Sequence, residues 1–122
     1  MDNSEILNKL SKSKFRSSFH LRKYMIKYID DKGLDTVIRH TNDFVYQKLK
    51  PAYPKNDGRQ TPMKGHPSFI AMHACACCCR SCLNKWHRIP MGRELTDKEC
   101  VFITNLLVEW IKKEYEGEKY EK

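Results

Sequence analysis

Cysteine and histidine side chains are concentrated in one short part of this sequence, residues 65–92, which we call the Cys/His segment. Thiolate and imidazole groups are the ligands that zinc binds most often in proteins, and thiols can also act as nucleophiles. The residues with this chemistry are Cys75, Cys77, Cys78, Cys79, Cys82, His66, His73 and His87. The segment is therefore where the sequence predicts a functional site.

The spacing of these residues predicts a metal site if the chain turns within the Cys/His segment. Cys79 and Cys82 are separated by two residues, as in many zinc sites, and His87 follows after four more. We expect zinc ahead of an iron–sulfur cluster. The ligands that this spacing predicts are Cys79, Cys82 and His87, with His73 or His66 as a possible fourth. The spacing matches no standard zinc finger, because a second ligand pair about 12–20 residues away is missing.

A single helix over residues 69–87 would instead make most of the cysteines structural. Successive residues advance by about 100° around a helix, which divides the segment into an apolar and a polar face. The apolar face holds Cys75, Cys78, Cys79 and Cys82, and the polar face holds His73, Cys77, Arg80, Asn84 and His87. Buried free cysteines need no metal, and Cys77 beside cationic neighbours would be a candidate reactive thiol. The metal site requires the helix to break near residues 76–79.

Positive charge is concentrated in the first three quarters of the chain. Residues 1–93 contain 18 lysines and arginines against 7 acids, a net charge of +11, whereas residues 94–122 carry a net charge of −3. Such a basic body favours a polyanionic partner, most often nucleic acid, because phosphate contacts release condensed counterions. The predicted phosphate contacts are Arg59, Lys64, Arg80, Lys85 and Arg88. The alternative is charge that serves only solubility.

Apolar periodicity predicts an all-α fold, a single compact domain of four to five helices. A short helix is predicted over residues 4–12, and another from Leu21 that stops at Gly33, a residue suited to helix ends. Asp35 is the expected N-cap of the next helix. The buried stripe predicted for that helix is Val37, Ile38, Thr41, Phe44, Val45 and Leu49. Alternating strand patterns are missing from the sequence.

A long loop and a final helix flank the Cys/His segment. Residues 50–67 hold four of the five prolines and predict a loop without helix or central strand. Thr96 and Glu99 form the T-x-x-E capping-box pattern that begins a helix. The expected buried face of that helix is Val101, Phe102, Leu106, Trp110 and Ile111, with Cys100 in the core beside it. Phe15 and Phe19 are expected to be buried.

Chain length and the lack of long apolar runs set the expected domain and location. At 122 residues the chain is expected to be one domain, 1–122, with flexible ends at about 1–9 and 116–122. No run approaches the roughly 18 apolar residues of a membrane span, and the N-terminus lacks a secretion signal. We therefore expect a cytoplasmic protein with no membrane partner, in which thiols stay reduced.

Two stretches of the sequence also resemble a known family. NDGRQTPMKGHPSFIAMHACACCCRSCLNKWHRIPMGRELT, together with SKSKFRSSFHL near the start, is similar to domain-of-unknown-function family 4186, an uncharacterised bacterial family, over about residues 10–113. The positions that match its pattern are His66, His73, Cys78, Cys79, Cys82, Lys85, Trp86 and His87. The family has threonines where this chain has Cys75 and Cys77. The resemblance therefore implies a site at Cys78, Cys79, Cys82 and the histidines, and it implies no activity.

These observations lead to three functional hypotheses. The first is a small basic helical protein that binds zinc and contacts nucleic acid. The second is a metal-dependent hydrolase acting on nucleic acid or a nucleotide, with three protein ligands and a water. This hypothesis has few candidates for the general base, since Asp57 is the only acidic residue between Tyr53 and Gly92. The third is a protein–protein adaptor with structural core cysteines.

Overall fold

A computed structural model describes residues 2–120, and it describes the side chains as far as residue 117. In this part of the chain there are six α-helices and no strand, which confirms the all-α class and corrects the expected four to five helices to six. The helices are α1 (Asn3–Ser11), α2 (Lys23–Lys32), α3 (Leu34–Lys48), α4 (Pro67–Ala74), α5 (Arg80–His87) and α6 (Asp97–Tyr120), and a short 3-10 helix spans Arg16–Ser18. The sixth helix arises because the Cys/His segment forms two helices, α4 and α5.

Helix α6 lies at the centre of the fold and contacts α1, α3 and α4. It begins with the predicted capping box, in which Thr96 Oγ1 accepts from the Glu99 N–H at 3.1 Å and Glu99 Oε1 accepts from the Thr96 N–H at 2.9 Å. Its fully buried residues are Cys100, Ile103, Leu106, Leu107 and Ile111. Val101 was expected in this face but is 53% exposed. The buried face is therefore rotated slightly from the predicted one.

Helices α2 and α3 are separated by one residue, Gly33. Its φ of 89° suits glycine, which has no Cβ to clash at positive φ, and its N–H donates to Ile29 O at 2.8 Å. The helix therefore stops where the sequence predicts. Helix α3 already begins at Leu34, so Asp35 lies in the first turn and is not the N-cap that was expected. Val37, Thr41, Val45 and Leu49 are buried, as the predicted stripe requires.

The Cys/His segment breaks between α4 and α5. Helix α4 begins at Pro67, with His66 as its N-cap accepting from the Ser68 N–H at 3.0 Å. After Ala74 the chain turns through Ala76, whose φ is 57°, and the Cys77 N–H donates to Met72 O at 2.8 Å. Cys79 is extended and immediately precedes α5. A continuous helix over residues 69–87 is therefore wrong, and the break required by a metal site is present.

The N-terminal region packs differently from the expectation. Phe15 is 57% exposed and Phe19 is half-buried, so the prediction that both rings are buried is wrong for Phe15. The buried residue is the arginine between them, Arg16. Helix α1 spans Asn3–Ser11, close to the short helix predicted over residues 4–12, and the C-terminal end expected to be flexible lies partly outside the described residues. No helix in the described part of the chain has the length and apolar character needed to cross a membrane.

Candidate metal centre

Three cysteine sulfurs converge at the start of α5. The Sγ atoms of Cys78, Cys79 and Cys82 lie within 4.8 Å of one another, and those of Cys78 and Cys82 are 3.5 Å apart. Sulfurs bound to one zinc at about 2.3 Å in a tetrahedron are roughly 3.8 Å apart. Cys79 is buried, and the other two are half-buried. The three thiols are therefore close to the separation that one metal ion needs.

The local backbone explains why these three sulfurs meet. Cys79 is the N-cap of α5, Cys78 precedes it, and Cys82 is the third residue of the helix. All three therefore lie near the helix end whose free N–H groups favour negative charge. Cys79 supplies no side-chain cap, and the Arg80 N–H is instead bound by Asp57 Oδ1 at 3.2 Å. Asp57 also accepts from Gln60 Nε2 at 2.9 Å, so the long loop fixes the start of α5.

Arg16 places a buried positive charge against the cysteine cluster. Its Nη2 donates to Cys82 Sγ at 3.3 Å, and its Nη1 lies 3.7 Å from Cys78 Sγ and donates to His73 O at 2.7 Å. Sequence reasoning missed this residue, because its partners are 57 to 66 positions away along the chain. Hydrogen bonds from a guanidinium favour the thiolate form of a cysteine, which is the form that binds metals.

The cluster contains two thiols with opposite pKa shifts. The pKa of Cys78 is lowered to about 7, chiefly by the hydrogen bond with Cys82, with a further contribution from Arg16 and against the effect of burial. The pKa of Cys82 is raised, chiefly by its hydrogen bond with Cys78, and burial acts in the same direction. Cys78 therefore ionises at lower pH than an ordinary cysteine even without a metal.

The other cysteines are structural. Cys75 and Cys77 are completely buried, and burial raises the pKa of both. Cys77 was the reactive thiol on the single-helix interpretation, and its burial contradicts that role. Cys100 is buried in the core, as predicted. These three thiols behave as small apolar residues.

The imidazoles of the predicted histidine ligands have hydrogen-bond partners outside the cysteine cluster. His73 Nε2 is 3.1 Å from both Thr61 O and Pro62 O, and His87 Nε2 is 2.8 Å from Cys75 O. His66 Nε2 is 3.1 Å from His40 Nδ1. Among the described residues, the group that could hold a metal contains the three cysteines and none of these imidazoles. Burial lowers the pKa of all three predicted histidines, which disfavours their charged form.

The predicted phosphate contacts divide into one buried arginine and four exposed residues. Arg80 is 1% exposed, and its guanidinium donates to four carbonyl oxygens. These are Leu49 O at 3.2 Å, Pro51 O at 2.6 Å, Pro90 O at 2.9 Å and Arg93 O at 2.7 Å. Arg80 is therefore a structural residue, which corrects its expected role at a phosphate. The exposed cations are Arg59, Lys64, Lys85 and Arg88.

Comparison with known proteins identifies the family and no function. The model of a family described as a domain of unknown function, DUF4186, matches residues 4–112. The chain belongs to this family. No solved structure matches it.

Proposed function

We propose that this member of the DUF4186 family binds one zinc ion through Cys78, Cys79 and Cys82 and contacts nucleic acid through its basic surface. The observation that carries the metal assignment is the convergence of the three sulfurs to within 4.8 Å. Thiolate ligands favour soft or borderline metals such as zinc over magnesium or calcium, which bind oxygen. Because metal ligation needs reduced thiols, we place the protein in the cytoplasm.

The charges around the cluster favour a divalent ion. Three thiolates and one Zn²⁺ have a combined charge of −1, and the Arg16 guanidinium beside Cys82 offsets it. The N-terminal end of α5 adds partial positive charge on the same side. Without a metal, three thiolates in a half-buried position would repel one another strongly. The surroundings are thus suited to the loaded form of the site.

Cobalt titration tests the metal assignment with a spectroscopic readout. Co²⁺ added to the reduced protein should give thiolate-to-cobalt charge-transfer absorption that zinc then displaces, because both ions take the same tetrahedral ligands. Cys82→Ser should weaken or abolish the band, whereas Cys100→Ala, which removes a thiol outside the cluster, should keep it. A band of equal intensity in Cys82→Ser would contradict the assignment.

The nucleic-acid contact is supported by exposed cations on the basic body of the chain. Arg59 and Lys64 lie in the long loop, and Lys85 and Arg88 lie on and after α5. Removing one cation that binds a phosphate should reduce the slope of log affinity against log salt by about 0.9 on duplex DNA. Lys85→Gln and Arg88→Gln should each show this change, with Lys32→Gln on α2 as the control. Affinity that is independent of salt would contradict this part of the proposal.

A metal-dependent hydrolase is the second candidate, favoured by the number of cysteine ligands. Three protein ligands are typical of catalytic zinc sites, in which water takes the fourth position. Asp57 is the acid nearest in sequence, and its carboxylate already accepts from Gln60 and from the first N–H of α5. Phosphodiester turnover by the zinc-loaded protein that is lost in Asp57→Asn, with metal retained, would favour this candidate.

A further inference from the structure

Besides the cysteine cluster, the fold contains a small cavity with aromatic walls and a cationic edge. It lies between α1, α5 and α6 and has a volume of about 220 Å³. Trp86, His87 and Phe102 supply rings to it, and Lys9 and Arg88 supply charge. Pockets for drug-sized ligands are typically about 300–1,000 Å³. The cavity is therefore sized for a single planar ring system.

The rings around this cavity are only partly covered by the protein. Trp86, His87 and Phe102 are all half-buried. His87 and Phe102 meet edge to face, with centroids 5.8 Å apart and planes at 71°. Aromatic rings contribute most to binding when a flat partner covers their exposed surface. The walls are thus suited to an aromatic ligand.

The charge at the edge of the cavity is uncompensated. Lys9 and Arg88 are exposed, and none of the described residues that line the cavity is acidic. Within the part of the chain that the structure describes, neither cation forms an ion pair, whereas Lys27, Lys50 and Arg93 each do. Two free cations beside half-buried rings favour an anionic group attached to the planar ligand.

The backbone at Arg88 supports a role for this side chain beyond folding. Arg88 ends α5 in the left-handed conformation, with φ 57° and ψ 31°. Glycine is the residue usually found at this position, since a Cβ adds strain there. The chain nevertheless has an arginine, whose charge lies at the cavity edge.

We infer that this cavity takes one base of a single-stranded nucleic acid, with the base against Trp86 and Phe102 and the adjoining phosphate at Lys9 and Arg88. Bases in a duplex are stacked on one another and cannot enter such a cavity, whereas unpaired bases stack readily on aromatic side chains. The inference rests on the nucleic-acid part of the proposed function. Trp86 follows Cys82 by one helical turn, so the bound strand would pass beside the metal centre.

Binding of a short labelled oligo(dT), measured by fluorescence anisotropy, tests this assignment. The same oligonucleotide with abasic sites and a duplex of equal length serve as comparison probes. Wild-type protein should bind oligo(dT) about tenfold more tightly than the abasic strand, because one stacked base is lost. Phe102→Leu, which keeps an apolar side chain, should lose about that factor on oligo(dT) and none on the abasic strand.

Two further variants separate binding from folding. Arg88→Gly should bind oligo(dT) several-fold more weakly while its thermal unfolding midpoint stays equal or rises, since glycine relieves the left-handed backbone. If Arg88 had only a structural role, Arg88→Gly would not weaken oligo(dT) binding while keeping or raising the unfolding midpoint. Lys32→Gln removes one exposed charge from α2, away from the cavity, and should leave the preference for oligo(dT) over the abasic strand unchanged.

The possible failures are distinguishable. If oligo(dT) and duplex both bind with salt dependence, but Phe102→Leu and the abasic strand change nothing, the cavity assignment is wrong and the proposed function stands. If no strand binds even at low salt, the nucleic-acid part of the proposed function is also wrong. If thymidine monophosphate binds as tightly as oligo(dT), the occupant is a free nucleotide, which overturns the assignment to a strand.

Discussion

Replacing Arg80 by methionine should remove a large part of the stability of this protein. Arg80 is 1% exposed and donates to carbonyl oxygens of Leu49, Pro51, Pro90 and Arg93. These acceptors belong to the start of the long loop and to the turn before α6, so one guanidinium joins separate parts of the chain to α5. Methionine keeps much of the volume but offers no donor, which leaves four carbonyls without this partner.

The size of the effect follows from the number of bonds. A hydrogen bond typically contributes about 1 kcal/mol net, and one to a charged group roughly 1.5–3 kcal/mol. Three of the four carbonyls are only partly buried, so water can replace some of these bonds. Using about 1 kcal/mol for each, Arg80→Met should lower the free energy of unfolding by about 4 kcal/mol, against a total of about 5–15 kcal/mol for a typical domain.

Urea unfolding followed by circular dichroism measures this change. Arg80→Lys keeps the charge but cannot span all four acceptors, and it should lose about 2 kcal/mol. Arg88→Met is the matched control, because Arg88 is an exposed arginine that ends the same helix, and it should change stability by less than about 0.5 kcal/mol. A loss of under about 1 kcal/mol for Arg80→Met would refute the structural role assigned to this residue.

Three further predictions concern acid stability, thiol reactivity and helix capping. Burial and the nearby His40 lower the pKa of His66 to about 4, so its contribution to stability is fully present above the unfolded pKa near 6.5 and is lost as pH falls toward 4. In urea unfolding, protonation of His66 should make the free energy of unfolding about 2 kcal/mol lower at pH 5 than at pH 7. The variant His66→Asn keeps an N-cap residue and should lose this pH dependence. Identical pH profiles for the wild type and the variant would contradict the role of His66. Iodoacetamide added at pH 7 to the reduced, metal-free protein should modify Cys78 before the buried Cys75, as read by mass spectrometry, because the pKa of Cys78 is about 7 and that of Cys75 is raised by burial; equal rates would show that the cluster does not activate Cys78. Thr96→Ala should cost about 1 kcal/mol in urea unfolding and Thr96→Ser very little, and equal losses in both would argue against the capping bond.

Features set by neighbouring residues were predictable from the sequence. The end of α2 at Gly33 depends on the conformational freedom of one residue, and the start of α6 depends on Thr96 and Glu99, three positions apart. The buried stripe of α3 follows from helical periodicity. The family resemblance is likewise confirmed by the match over residues 4–112.

Features set by distant contacts were not predictable in this way. The break at Ala76 contains neither glycine nor proline, so no local signal marks its left-handed backbone. Arg16 is buried because His73 O and the sulfurs of Cys78 and Cys82 are brought to it by the fold. Arg80 looked like a surface cation, since its four carbonyl partners lie 10 to 31 positions away. Polar residues whose partners are remote resemble solvent-facing ones in sequence.

The metal content of protein purified under reducing conditions tests the central proposal most directly. Elemental analysis should find one zinc per chain in the wild type and in Cys100→Ala, and none in the triple variant Cys78→Ser, Cys79→Ser, Cys82→Ser, since the three sulfurs that converge to within 4.8 Å are then replaced. Wild-type protein without stoichiometric metal after incubation with zinc, or a triple variant that retains it, would contradict the proposed metal centre.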